Sequence, residues 1–366
     1  MVTINKLWEG ADGATGDLQD ALNWYFVSLV NPTFKWTVSG SGTNEYYLDL
    51  FGGGDPGILE PPNVYENETT ALVAGTVGSL SAGEWDFGNT DTLGFNTIYV
   101  RLTSGAADPD SRTAGYVQLR DIPRTGDKVR VPAGSAIISS NLDLSATTLV
   151  DWIFEQGHAT AVGTAEDYLR ITISGLFRFH STGRAYIDLA ASTVSPQILG
   201  TKSGGTGTVG LELIGSALTA LRVEGGDVGL AFRHGTTATV GTITQTGGKL
   251  TIGAGATVST SLTKEGGACV DRKGTTTITH YGGTYTSEEA AAITTLNQNG
   301  GTVIHNSTGT IGTANLNDGT IDHQQGTITT LNHARTPGGT YRRRSGTTLT
   351  TYAGPAAPTQ IDTSPL

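Results

Sequence analysis

The second half of this chain offers carboxylates at Glu212, Glu224, Asp227, Glu265, Asp271, Glu288, Glu289, Asp318 and Asp322. Cleaving a glycosidic bond needs two such groups held several ångströms apart in a groove, one to protonate the leaving oxygen and one to act as base or nucleophile. No pairing of these residues repeats along the chain, so the expectation is a protein without a catalytic constellation and without a cofactor. His305 and His323 lie 18 residues apart, with Asp322 beside the second. Imidazoles brought together by a repeat could bind a metal; the blander alternative, a solvated ladder shared with Asp271, Ser287 and Arg343, is the expectation here. Asp108, Asp110, Asp91 and Glu84 could supply oxygen ligands to calcium, yet acidic turns of this kind are usually just solvated. Gly205-Thr-Gly-Thr-Val-Gly210 fits G-x-G-x-x-G, but a phosphate-binding loop must open a helix, and the strand-like "LELIG" follows. Arg342, Arg343 and Arg344 concentrate positive charge, suited to an acidic partner or to guarding the end of a stack against unwanted pairing.

What positions these residues is a repeat. From Gly225 onward a Gly-Gly or Asp-Gly pair recurs with its second glycine at 226, 248, 267, 283, 301, 319 and 339, a period close to 19. Two residues after each stand Val228, Leu250, Cys269, Tyr285, Val303, Ile321 and Tyr341, all apolar or aromatic. Five residues before stand Ile243, Leu262, Ile278 and Leu296, with Leu316 and Leu331 at other offsets in the last coils. Helical repeats are longer than 30 residues and poor in Gly, Thr and Asn. A 19-residue unit of β-branched residues with glycine corners is one coil of a parallel β-solenoid, each coil pairing its backbone with the last. The crossover preference favours a right-handed one. "YLRITISGLFRFH", "AYIDLA" and "TVGLELIG" alternate with period two and read as earlier coils, so the solenoid is expected over residues 121–352, as about twelve coils at ~4.8 Å rise.

Composition bounds the rest. The chain has 366 residues, 52 Gly and 37% hydrophobic residues, which favours many short strands over a Leu/Phe-rich core. Net charge is −11, and residues 1–130 carry 17 Asp+Glu against 8 Lys+Arg. Such an acidic chain is a poor general nucleic-acid binder. No apolar run is long enough to suggest a membrane span, and the start lacks an apolar leader, so synthesis in a host cytoplasm is expected. The lone Cys269 can form no disulfide within the chain. All five Trp precede residue 153, so a large-residue core gives way to a small-residue one.

In the N-terminal part, Leu18, Ala21, Leu22, Tyr25, Phe26 and Leu29 share one helical face between Asp17 and Pro32, predicting a single helix within residues 1–32 that caps the solenoid. Residues 33–120 read as an antiparallel β domain, and 353–366 as an extended Pro-rich tail. Tyr46, Tyr47, Phe87, Phe95 and Tyr99 are its candidate docking surface, or its core, which is the blander and preferred reading.

"WTVSGSGTNEYYLDLFGGGDPGILEPPNVYEN" with "GSLSAGEWDFGNTDTLGFNTIYVRLTSGAADPDS" resembles a module of structural proteins of tailed bacteriophages and prophages. "GDLQDALNW" and "PRTGDKVRVPAG", followed by Gly/Thr-rich coils, resemble phage β-helix proteins in which these two segments are nearly continuous. Here they are separated, as if the β domain were inserted between Trp24 and Pro123, and Leu18 stands where the pattern has Trp. The resemblance implies a virion component, a capsid decoration or fibre, whose partners are other virion proteins; a slender solenoid also gains by burying its sides on copies of itself, so self-association as a homotrimer is expected. It brings no catalytic residues. The rival is a tailspike that recognises or cleaves a host surface polysaccharide.

Overall fold

The computed structural model describes residues 5–8, 24–27, 35–49, 60–61, 63–66, 70–105, 108–109, 117–120, 122–135, 137–139, 142–205, 207–334 and 339–354. They form an all-β protein: a parallel β-solenoid of about 11 turns between residues 128 and 353, and an N-terminal antiparallel sheet. Backbone contacts divide the chain into two units, residues 1–142 with 147–152, and residues 143–146 with 153–366.

Within the second unit each coil hands its strands to the next in register. Val228, Leu250, Cys269, Tyr285, Val303, Ile321 and Tyr341 pair successively, and every one is buried. Ile243, Leu262, Ile278 and Leu296 form the second column and continue through Ala314, Leu331 and Tyr352. The column is unbroken in register: Ala314 keeps the place five residues before Gly319, small but still apolar, while Leu331 pairs with it although it stands eight before Gly339. Leu316 belongs to a neighbouring inward column, opposite Gln298.

The corner glycines meet two demands. Gly226, Gly248, Gly267, Gly283, Gly301 and Gly319 all have φ between 65 and 82°, where a Cβ is disfavoured. They also stack on one another, so that a Cβ on Gly301 would lie 2.6 Å from the Gly283 carbonyl oxygen. Outside, identical polar residues ladder. Thr277, Thr295, Thr313, Thr330 and Thr351 share one column. In the column beside it, Asn315 Nδ2 donates to Asn297 Oδ1 and Asn332 Nδ2 to Asn315 Oδ1, both at 2.8 Å. Ladders of like side chains along a stack satisfy each other's amides while repeating the same local geometry.

In the first unit, Lys35–Val38, Tyr46–Asp49, Thr97–Arg101, Glu84–Gly88 and Val73–Ala74 make a five-stranded sheet in that order, antiparallel except for its last pair. Trp36, Tyr46, Leu48, Val64, Leu72, Trp85, Ile98, Val100 and Leu102 form its core. The expected helix is not found where it can be described. Trp24–Val27 is a strand antiparallel to Asn5–Trp8, which itself runs parallel to Lys128–Val131. The run "WYFV" is aromatic and β-branched, and a neighbouring strand edge satisfies its backbone better than one helical face does; the rest of the helical span lies outside the described residues. Strands on either side of the N-terminal β domain thus join one sheet, and the first solenoid strand is covered by a paired strand rather than by a helix.

Candidate functional site

Period-two alternation makes the residue three before each corner glycine point inward, like the apolar one five before it. That column runs Val223, Gln245, Lys264, His280, Gln298 and Leu316, and His333, which stands six before Gly339, continues it in register. Its polar members from Gln245 to Gln298 are fully buried. The corner carbonyls explain why. Lys264 Nζ donates to Gly266, Gly267 and Gly282 oxygens at 2.8, 2.7 and 2.9 Å. Gln245 Nε2 reaches Ala268 oxygen at 2.8 Å, and Gln298 Nε2 reaches Gly300 oxygen at 2.7 Å. His280 Nδ1 lies 2.8 Å from Gln298 Oε1. A buried carbonyl left unpaired costs about 1–3 kcal/mol, so these side chains supply donors at the turns, alone at some carbonyls and, at Gly267, beside the Thr284 amide. Burial pulls the Lys264 ammonium down to about 8. This column is absent from the sequence-level reading; extending the alternation by one step from Ile243, Leu262, Ile278 and Leu296 would have exposed it.

The second polar column corrects an expectation. Asp271, Ser287, His305 and His323 are in register with Arg343, and the first four are fully buried rather than solvated. They lie four residues after the corner glycine, inward like the apolar column at two. Asp271 accepts from the amides of Lys273 and Gly274, from Thr275 Oγ1 and, at 2.8 Å, from the Tyr285 hydroxyl. Ser287 Oγ is 2.7 Å from His305 Nδ1, and the His305 and His323 rings sit 5.3 Å apart. His323 Nε2 faces the Gly326 carbonyl at 3.2 Å and must donate there, so Nδ1 accepts from the Tyr341 hydroxyl at 2.8 Å. Burial, reinforced for His305 by the neighbouring His323, lowers both imidazoles to about 4. A neutral hydrogen-bonded pair is the result, and among the described residues no group of three or more His, Cys, Asp or Glu is arranged to hold a metal. Arg343 ends the column, its guanidinium on the Thr347 carbonyl and hydroxyl, while Arg342 is exposed and Arg344 half-buried.

Scattered residues also converge on one flank. Glu212, whose side chain is fully buried, takes the Arg233 amide at 3.1 Å and its Nε at 2.8 Å; the same guanidinium donates to Tyr186 Oη at 3.2 Å and lies 5.0 Å from that ring's centre. Tyr168 packs edge-on against Tyr186 at 5.8 Å, and burial with nearby Glu212 raises its hydroxyl pKa far above the usual value. Two coils on, Arg272 lies 3.3 Å from Glu288 and 3.6 Å from Glu289, with its guanidinium 5.7 Å from the centre of the Phe232 ring. A cleft of about 440 Å³ opens between these groups, walled by Phe232, Arg233, His234, Arg272 and Glu289 over a floor of Ala254 and Gly255. Linear spacing gave no hint of it.

In the N-terminal domain Tyr46 and Tyr99 are buried, whereas Tyr47, Phe87 and Phe95 are half-buried. Its acidic residues tie loops. Glu45 accepts from Gly78 and Leu80 amides at 2.8 and 2.7 Å, Glu84 from Ser81, and Asp91 from Ser39 and Gly40. Asp91 and Glu84 therefore spend their oxygens on loop donors; Asp110 lies outside the described residues. Gly205–Gly210 precede the strand Leu211–Val223, as the strand-like "LELIG" requires. Comparison of the chain with protein-family models, with curated proteins and with solved structures gives no match.

Proposed function

We propose that this protein is a non-enzymatic structural component of a bacteriophage virion, a β-helical decoration or fibre protein attached to the particle, with the capsid favoured, through its N-terminal region. The reading starts from the resemblance of residues 36–111 and of the two segments flanking them to phage structural proteins. The observation that carries it furthest is how the buried polar residues are used. Lys264, Gln298, Asp271 and His323 spend their hydrogen bonds on turns and on neighbouring coils. Such an interior holds a shaft in one shape and suits a protein whose task is to stand on a surface. Half-exposed Tyr47 and Phe95, with Val38 and Val73 at 64% and 67% exposure on the sheet's two edge strands, are the groups offered for docking on other virion proteins or for self-association as a homotrimer.

Immunogold electron microscopy of purified particles, with antibody against the coils from residue 225 onward, tests this reading. Label distributed over the capsid is the expected result. Label confined to the tail tip would shift the reading to receptor binding, and unlabelled particles would overturn it.

A further inference from the structure

Coils of this solenoid turn economically at the corner that follows the strand ending in Leu230. Between Ile252 and Ala256, and again between Asp271 and Thr275, three residues suffice. Between Leu230 and Ala238 the chain spends seven, Ala231 to Thr237. The longer loop is held in place at some cost. Ala231 has φ 45° and, across the cleft, Glu289 has φ 55°, conformations that side-chain-bearing residues rarely adopt and that cluster at functional sites. Glycines on the next coil let the loop lie directly against it: a Cβ on Gly253 would strike the Ala231 carbonyl, and one on Gly255 the Thr236 carbonyl. Arg233 is pinned beneath by a fully buried carboxylate and a tyrosine hydroxyl, bonds that occupy Nε and one Nη and leave the other amino group's donors for a ligand.

We infer that this cleft is a binding site for a neutral saccharide unit. Its size falls within the range of small-ligand pockets, roughly 300–1,000 Å³, and suits one or two sugar rings. Adjacent guanidinium and carboxylate groups on the cleft wall, Arg272 with Glu289, supply paired donors and acceptors. Vicinal hydroxyls, each both donor and acceptor, match such pairs. Phe232 provides an apolar wall for the C–H face of a ring. Charge selects against acidic sugars: Arg233 and Arg272 are opposed by Glu212, Glu288 and Glu289, which leaves no excess of positive charge to neutralise a uronate or a sulfate. Host surface polysaccharide is the macromolecule that presents this chemistry to a virion protein, yet the inference stands on the cleft and not on the virion reading.

The test is a glycan array of neutral and acidic bacterial oligosaccharides probed with the intact, fluorescently labelled chain, followed by titration calorimetry on the best ligand. Binding of neutral oligosaccharides is expected, weakened at least tenfold by Phe232→Ala and by Arg272→Gln. Both residues are part-exposed, so melting curves should confirm that the variants fold. Asn297→Ala, on the external amide ladder, should bind as the unaltered protein does. Three results would each overturn the proposal: neutral glycans fail to bind, only acidic ones bind, or binding persists in both cleft variants. Particle labelling reports on the virion reading separately, so failure of one leaves the other standing.

Discussion

Two glycines with nearly the same backbone conformation separate what a turn costs from what stacking costs. Gly301 has φ 67° and Gly207 has φ 69°. A Cβ on Gly207 meets nothing within 4 Å; one on Gly301 would lie 2.6 Å from the Gly283 carbonyl oxygen and 2.9 Å from the Gly282 carbonyl carbon. Gly207→Ala therefore loses about 1–2 kcal/mol to the left-handed backbone, partly offset by about 0.4–1 kcal/mol from the stiffer unfolded chain. A net loss of about 1 kcal/mol is expected. Gly301→Ala carries the same loss and must also push two coils apart by roughly 0.8 Å or more to reach ordinary contact. The carbonyl it strikes is the one that accepts the Thr302 amide at 2.9 Å, so relief of the clash stretches that ladder bond. Losing it adds about 1–3 kcal/mol, for a total near 3 kcal/mol. Urea unfolding followed by circular dichroism gives both values, and hydrogen exchange at the Thr302 amide should quicken in the Gly301 variant alone. Equal losses for the two variants would refute the claim that coil stacking, rather than turn conformation, fixes glycine at the corners.

The buried imidazoles make the protein sensitive to acid. His158, His305 and His323 are each lowered to about 4 by burial, so between pH 6.5 and 4 the unfolded chain binds protons that the folded one refuses. Stability should fall across that window by up to about 3 kcal/mol for each histidine, and urea midpoints at pH 7 and 4.5 will show the drop or its absence. Lys264 has the opposite consequence at the alkaline end. Its folded value near 8 lies below the ordinary 10.5, so stability should rise from pH 8 to 10.5, and the rise should vanish in Lys264→Met. At pH 7 that variant removes the Lys264 donor from Gly266, Gly267 and Gly282, of which Gly267 keeps the Thr284 amide, and should lose about 2–3 kcal/mol in the same assay. Tyr285→Phe removes one of the hydrogen bonds on buried Asp271 and should cost about 1.5–3 kcal/mol, against a near-neutral Tyr281→Phe at an exposed position.

The solenoid is legible in the residue order alone, because its signals are local and repeated. Every corner needs a glycine, every strand needs an inward apolar residue at a fixed step from it, and seven recurrences make the register unambiguous from Val228 to Tyr341. A helical period over a single stretch had no such support, and at Trp24–Val27 an available strand edge overruled it. Only the tertiary structure decided which polar residues are inside. His305 and His323 read as surface residues because a polar side chain is assumed to seek water; the narrow corner instead presents a carbonyl and a hydroxyl to the two nitrogens of His323 and the Ser287 hydroxyl to His305 Nδ1, which offsets the cost of burial. The flank cleft was invisible for a different reason. Glu212, Phe232, Arg233, Arg272 and Glu289 come from different coils, and their meeting depends on a seven-residue corner folding back where the next two coils turn in three. Nothing in the spacing of these residues along the chain encodes that contact, since the distance between them is set by the rise of the stack and the path of one loop.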